Sequence, residues 1–447
     1  KLQNVKRVKC IALECFFVEH TEIWKSYLDG KISEHNFLKK IEWNKNWVFP
    51  WENYRPIIKW AIRHEIQIFP CNTLKTQNLK SRDAVSASLI QSILLKYKEK
   101  NPLILVLYGD LHLANAHLPQ KLKNKMKKKL NIVRIFQNID EIYFEMIKKS
   151  KDPQVEVVKK NQNTFCLLGV PPWVKWQSYL MFLEEYFDKD LYESQIEFTD
   201  HIVRYIQFLS DELECPISAL KCSIYSVQDN HFLDQVRNHF SRTHLKTLEK
   251  MVEEGYSFFI PQLHKGYLGR ITVNHASGLA MQYFYYELTQ SQKLPWTMPH
   301  DFTRLIWLEA ITYFGSKLVN PKRKTESLKD LKNSLTSMEQ EGLGKEALKL
   351  ALAQRVREIM VMNSGSLRGL TFKPKRKWSY FLAAHMLGTV LGERLYTAYS
   401  QNSLKKESIL QLILKSIDKP EFNEFYYEIL ELLESFPVAF KSKNERI

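Results

Sequence analysis

The sequence predicts an α/β domain, a parallel sheet with helices on both faces, followed by a second, mainly α-helical domain. Three observations carry this. Up to about Val170, short and continuously apolar runs alternate with amphipathic stretches. That is the pattern of strands buried on both faces and separated by helices. Beyond Trp173 the apolar residues recur with a period near 3.6 over long segments. Between the two regimes, Gly169-Val-Pro-Pro-Trp173 sets two prolines in a row, which break any regular element. The expected domains are therefore residues 1–170 and 171–447.

Val8-Lys-Cys-Ile-Ala-Leu-Glu-Cys-Phe-Phe17 reads as a buried strand. Thr21–Leu28 and Glu34–Ile41 read as helices, with Ser33 placed to cap the second. Trp51–His64 has helical spacing, with Trp51, Tyr54, Ile57, Ile58 and Ala61 on one face. Ile66–Pro70 is a short strand, and Ser81–Tyr97 a helix with Ser81 as its cap. Leu103-Ile-Leu-Val-Leu-Tyr108 is apolar throughout and is the clearest strand. Ile132–Phe136 and Phe165–Leu168 are further strands, with helix Asp140–Lys148 between them. In the second domain, helices are expected over Trp173–Tyr186, Gln195–Leu213, His300–Tyr313, Ser327–Met338, Lys345–Met362, Ser379–Tyr399 and Lys405–Ile417. A hairpin is expected from Phe258–Pro261 and Tyr267–Ile271. Asn274-His-Ala-Ser277 opens another helix, where Asn274 or Ser277 can cap.

The 447 residues include 65 Lys+Arg and 49 Asp+Glu, with 45% hydrophobic residues and only 14 glycines. This excludes a disordered or collagen-like chain and leaves ample material for two cores. The charge is lopsided: residues 1–170 carry 30 Lys+Arg against 16 Asp+Glu, net +14, and the remainder carries only +2 of the total +16. A basic face of this kind meets phosphate, anionic lipid or an anionic small ligand. The run Lys121-Leu-Lys-Asn-Lys-Met-Lys-Lys-Lys129 has no interleaved aromatics, so it is a solvated face rather than a nucleic-acid platform. No sequence-specific nucleic-acid binding is expected. No apolar stretch approaches the ~18 residues of a membrane span. None of the six cysteines forms a C-x-x-C pair, so free thiols in a reduced compartment are expected rather than structural zinc.

Chemistry-bearing residues gather at expected strand ends, where parallel α/β sheets bind ligands. Glu14 lies inside an apolar strand, between Leu13 and Phe16, and must find a partner or change its ionisation. Gly109-Asp-Leu-His112 follows the clearest strand, with Gly109 suited to a sharp turn. Asn72 follows the Ile66–Pro70 strand. Glu14, Asp110, His112 and Asn72 can thus converge on one edge, a set suited to acid–base work or to a metal. Walker-A, G-x-G-x-x-G, G-x-S-x-G and H-E-x-x-H motifs are all missing from the sequence, which removes the motif-supported nucleotide enzymes, serine hydrolases and zinc peptidases.

These stretches, taken in order, resemble the ChaN-like family of haem-binding uptake proteins, which belongs with the TIKI, TraB and erythromycin-esterase-like proteins. Ala12-Leu-Glu-Cys-Phe16 looks like the family's strand with its acidic residue. Trp47-Val-Phe-Pro-Trp-Glu-Asn-Tyr-Arg-Pro56 looks like its tryptophan-rich lead into a helix. Ile68-Phe-Pro-Cys-Asn72, Ser81-Arg-Asp83 and Gly109-Asp-Leu-His112 follow. The resemblance covers about the first 115 residues. The family pattern opens with an earlier strand that ends in a glycine–acid–x–histidine motif, and no histidine precedes Ala12 here. If that strand lies outside the numbered chain, Val8–Phe17 should have an open edge, or one covered by another segment or subunit. Strands of residues 1–170 on both of its edges would make the departure from the family real and end the hydrolase reading.

The resemblance implies haem or iron handling at the cell envelope, and a location in the cytoplasm or at a membrane surface. Haem is the expected cofactor, and its propionates suit the basic first domain. The wider superfamily implies a second reading, a metal-dependent hydrolase using a divalent ion. There Glu14 and His112 hold the metal or activate water, and their side chains should approach within ~4–5 Å. Asp110 orients the histidine, completing a catalytic set of Glu14, Asp110 and His112. Trp51, Tyr54, Arg55 and Asn72 are the expected cofactor- or ligand-binding residues, with Arg55 facing an anionic group. A third reading is a non-catalytic interaction protein whose helical domain binds a partner.

Overall fold

The structure is a computed structural model, and it describes residues 8–47, 49–75, 78–97, 103–126, 130–148, 157–187, 198–217, 222–227, 229, 231–364, 372–436 and 442–444. Lys127, Lys128 and Lys129 of the lysine run, and residues 195–197 of the expected Gln195–Leu213 helix, lie outside the described residues. The chain forms two compact units, Lys1–Pro171 and Pro172–Ile447. The boundary falls between the two prolines.

In the first unit, β1 (Val8–Phe17) is the longest strand. It is followed by α1 (Thr21–Leu28), α2 (Glu34–Lys40), α3 (Trp43–Asn46), α4 (Arg55–Arg63), β2 (Gln67–Asn72), α5 (Leu79–Lys96), β3 (Leu103–Leu107), α6 (Leu118–Lys125), β4 (Arg134–Gln137), α7 (Asp140–Lys148), β5 (Val157–Asn161) and β6 (Thr164–Leu167). Ser33 caps α2 as expected, accepting from the Asn36 N–H at 3.3 Å. The Trp51–His64 helix is divided. Trp51–Asn53 forms a 3-10 turn, and α4 starts at Arg55 with Pro56 in its first turn, the place where a missing N–H costs nothing. Asn78 rather than Ser81 caps α5, which therefore starts two residues earlier.

The strands form two small sheets, not one continuous parallel sheet. The first has the order β2-β1-β3, with both pairings parallel. The second has the order β4-β6-β5, and β5 runs antiparallel to β6. β1 is thus flanked on both edges by strands of its own unit. The open edge expected beside Val8–Phe17 does not exist, and there is no place next to β1 for a further strand. Alternation along β1 divides its side chains. Ile11, Leu13 and Cys15 pack into an aromatic-rich core with Trp24, Phe37, Trp43 and Trp51. Cys10 and Ala12 pack on the other face with Cys71 and Ile93.

In the second unit, α8 (Pro172–Phe187), α9 (Thr199–Leu213), β7 (Ser223–Ser226), α10 (Phe232–Val236), α11 (Arg242–Glu253), β8 (Phe258–Ile260), β9 (Lys265–Leu268) and α12 (Val273–Thr289) precede α13 (Phe302–Val319), α14 (Leu328–Ser337), α15 (Leu343–Ser364), α16 (Trp378–Ser400), α17 (Lys406–Ile413) and α18 (Phe422–Glu434). The expected hairpin is present as β8 and β9, and β7 pairs parallel to β9 to make a third sheet. Thr272, not Asn274 or Ser277, caps α12. The centre of this unit is α13 against α16. Within it a buried Glu393 accepts from Tyr313 Oη at 2.6 Å and from Lys317 Nζ at 2.8 Å. The six cysteines are free, and Cys10, Cys15, Cys71 and Cys166 are buried in strands. Burial pushes the Cys10 thiol up to about 11, so it stays protonated and unreactive at neutral pH. Among the described residues no helix is long and apolar enough to cross a membrane.

Two histidines of the second unit predict its acid response. Burial, with nearby arginines adding to it, pushes His201 and His275 down to about 4. Free imidazole titrates near 6.5, so as pH falls the unfolded chain takes up these protons first. The stability they contribute is fully present above pH ~6.5 and is lost progressively down to about pH 4. Urea melts of the second unit should show a falling midpoint across this window. The His275→Gln variant should show a shallower fall.

Candidate functional site

The site builds outward from Glu14. β1 carries it on the face of Cys10 and Ala12, away from the tryptophan core, and it is nearly buried, with 11% of its side chain exposed. A carboxylate in that position needs partners, and three groups supply them. The Arg82 guanidinium, from the first turns of α5, bonds Glu14 Oε1. The Gly109 backbone N–H, just past β3, donates to Oε2 at 2.7 Å. His112 Nε2 stands 3.5 Å from Oε1. Arg82 also donates through Nε to Asn72 Oδ1 at 3.2 Å, at the end of β2. The ends of all three strands of the first sheet thus meet at one carboxylate–guanidinium pair.

A second carboxylate organises the imidazoles. Asp83, fully buried on α5, accepts from His112 Nδ1 at 2.6 Å through one oxygen and from His117 Nδ1 at 2.9 Å through the other. An ionised carboxylate only accepts, so it fixes the proton of each ring on Nδ1. Each Nε2 is then the atom left for chemistry. That of His112 faces Glu14, whereas that of His117 has no partner among the described residues. His117 is the more open ring, with 27% of its side chain exposed against 5% for His112. Tyr108 packs its ring edge-on to His112, with centroids 4.5 Å apart, and its hydroxyl bonds Ser86 Oγ.

Of the residues expected from sequence, Glu14, His112 and Asn72 come together. Asp110 does not join them. It is exposed on the turn after β3 and makes no hydrogen bond or ion pair among the described residues, and Asp83 holds the position beside His112 that Asp110 was expected to fill. Trp51, Tyr54 and Arg55 lie elsewhere. Trp51 and Tyr54 pack against the opposite face of β1, and Arg55 pairs with Glu34 at 2.9 Å. Gly109 has φ −61° and ψ 150°, an extended conformation open to any residue, so no sharp turn explains it. Arg82, Asp83 and His117 escaped the reading as site residues. Arg82 and Asp83 lay in the Ser81-Arg-Asp83 stretch of the resemblance without being given a role, and the signal for His117 is a second histidine five residues after the first.

Glu14 and His112 satisfy the distance expected of a metal-assisted pair, but Glu14 is already engaged by Arg82 and Gly109. Among the described residues no group of three or more His, Cys, Asp or Glu side chains is arranged to hold a metal ion. The hydrolase reading also required an open edge beside β1, and β2 and β3 occupy both edges. That reading is therefore withdrawn.

No curated protein and no solved structure matches the chain. One family model does, and its span ends on Asp83, so it includes Glu14, Asn72 and Arg82 and stops short of Gly109 and the two histidines. Residues 1–83 match the family described as haem-binding uptake, Tiki superfamily, ChaN, and the amino-terminal part of the first unit is ChaN-like.

Proposed function

We propose that the first unit binds haem, whose iron His117 would hold. The observation that carries this is the Asp83 bridge. Histidines that ligate metals characteristically give their other N–H to a carboxylate, which fixes the tautomer and makes the free nitrogen more basic. His117 has this arrangement, with Nδ1 on Asp83 and a partly exposed Nε2 left over. His112 has the same anchor, but it is buried and turned to Glu14. The surroundings suit an amphipathic dianion. Leu111, on the turn with His112, is 72% exposed and offers apolar surface to a porphyrin. Lys121, one helical turn beyond His117, forms no ion pair among the described residues and suits a propionate. The net charge of +14 over residues 1–170 favours the approach of any such anion. When bound, haem would supply its own redox and ligand chemistry. This chain's part is to hold the iron through His117, keep that ring in one tautomer through Asp83, and neutralise the propionates.

Titrating the full chain with hemin should give a saturable Soret shift at one hemin per chain. No shift at micromolar protein would contradict the proposal.

A further inference from the structure

The second unit contains a cavity of about 550 Å³ among α13, α15, α16 and α18, within the size range of small-molecule sites and in the usual place for them in helical bundles. Its walls include Phe302, Leu350 and Tyr380, and the Phe302 and Tyr380 rings meet edge-on with centroids 5.1 Å apart. Some of the polar groups that line it are committed to one another or to neighbours. Gln354 donates to Glu358 at 3.0 Å, and Asn423 accepts from Thr303 at 2.6 Å. Arg357 is the cation among them. It lines the cavity, and its side chain bonds the Tyr427 hydroxyl. It forms no ion pair among the described residues. Glu424 also lines the cavity but does not pair with it. A half-buried guanidinium beside apolar walls, unpaired with any carboxylate among the described residues, presents a planar fork that a carboxylate matches.

We propose that this cavity binds a small amphipathic carboxylate, its apolar body between Phe302, Leu350 and Tyr380 and its carboxylate on Arg357. This site is independent of the haem proposal, since every residue in it belongs to the second unit.

The probes are 1-naphthaleneacetate and its neutral counterpart 1-naphthaleneethanol, titrated into the full chain by calorimetry. The acid should bind saturably at one per chain and about tenfold or more tighter than the alcohol, the increment of a charge-assisted hydrogen bond. In Arg357→Gln the acid should weaken to the level of the alcohol, while the alcohol is unaffected. Leu350→Trp, which fills the cavity, should abolish binding of both. Equal affinity for acid and alcohol in the unaltered protein would overturn the proposal, as would no saturable binding of the acid. That comparison holds even if a variant fails to fold. Unchanged acid binding in a folded Arg357→Gln would overturn it too.

Discussion

Replacing Asp83 by alanine is expected to destabilise the first unit by about 3 kcal/mol, the range for removing one partner of a buried charged network. Asp83 is fully buried and satisfies two imidazoles at once. Without it the buried His112 keeps an Nδ1–H with no acceptor. Urea unfolding followed through the tryptophan core would register the loss. Asp83→Asn separates the structural role from the chemical one. An amide keeps the volume and can accept from one ring, but it presents N–H to the other. One histidine must then move its proton to Nε2. The expected result is a smaller stability loss than for alanine, together with a fall of tenfold or more in hemin affinity if the altered ring is His117. Near-normal stability in Asp83→Ala would mean that the two imidazoles do not depend on this carboxylate.

The second large effect is expected at the α13–α16 contact. Gly388 and Gly392 let the two helices approach closely. A Cβ at Gly388 would meet the Glu309 Cβ and stand 2.8 Å from the Ile306 carbonyl oxygen. At Gly392 it would overlap the Ala310 carbonyl oxygen and lie 3.0 Å from the Tyr313 Cβ. These neighbours are backbone and Cβ atoms, which cannot swing aside. Alanine is favoured over glycine by ~1 kcal/mol in a helix interior, so an overpacking cost must exceed that to show. We expect a net loss of about 1–3 kcal/mol for Gly388→Ala or Gly392→Ala, larger for the pair, with the Lys317–Glu393–Tyr313 contacts disturbed as α16 moves away. Gly342→Ala is the control, because a Cβ there meets nothing within 4 Å. Thermal or urea melts that show no difference between Gly392→Ala and Gly342→Ala would contradict the close packing.

What was legible in the sequence follows from the range of the interaction. Strand Val8–Phe17 and helix Asp140–Lys148 have the expected boundaries, because hydrophobic runs and helical periodicity are local signals. Ser33 is read correctly as a cap because its bond reaches only three residues. β5 was missed: Val157-Val-Lys-Lys-Asn161 is mostly exposed, and a polar edge strand has no apolar run to announce it. The site was half legible. Glu14 stood out as an acid in an apolar strand, and His112 as a histidine at a strand end. Its organisers did not stand out, since Arg82 reaches Glu14 across 68 residues and Asp83 reaches His112 across 29. Adjacency favoured Asp110, two residues from His112. The fold instead turned Asp110 to solvent and delivered Asp83 from α5. Trp51, Tyr54 and Arg55 were misplaced for a related reason. Their stretch is dense in aromatics, and without the pairing of β1 nothing in the sequence says that it covers the face opposite Glu14.

The most direct test of the account is the hemin spectrum of His117→Ala beside that of the unaltered chain. The account predicts a saturable Soret shift for the unaltered protein, its loss in His117→Ala, and its return when free imidazole is added to the variant. A His117→Ala protein that binds hemin with the same affinity and the same Soret position would contradict the assignment of His117 to the iron.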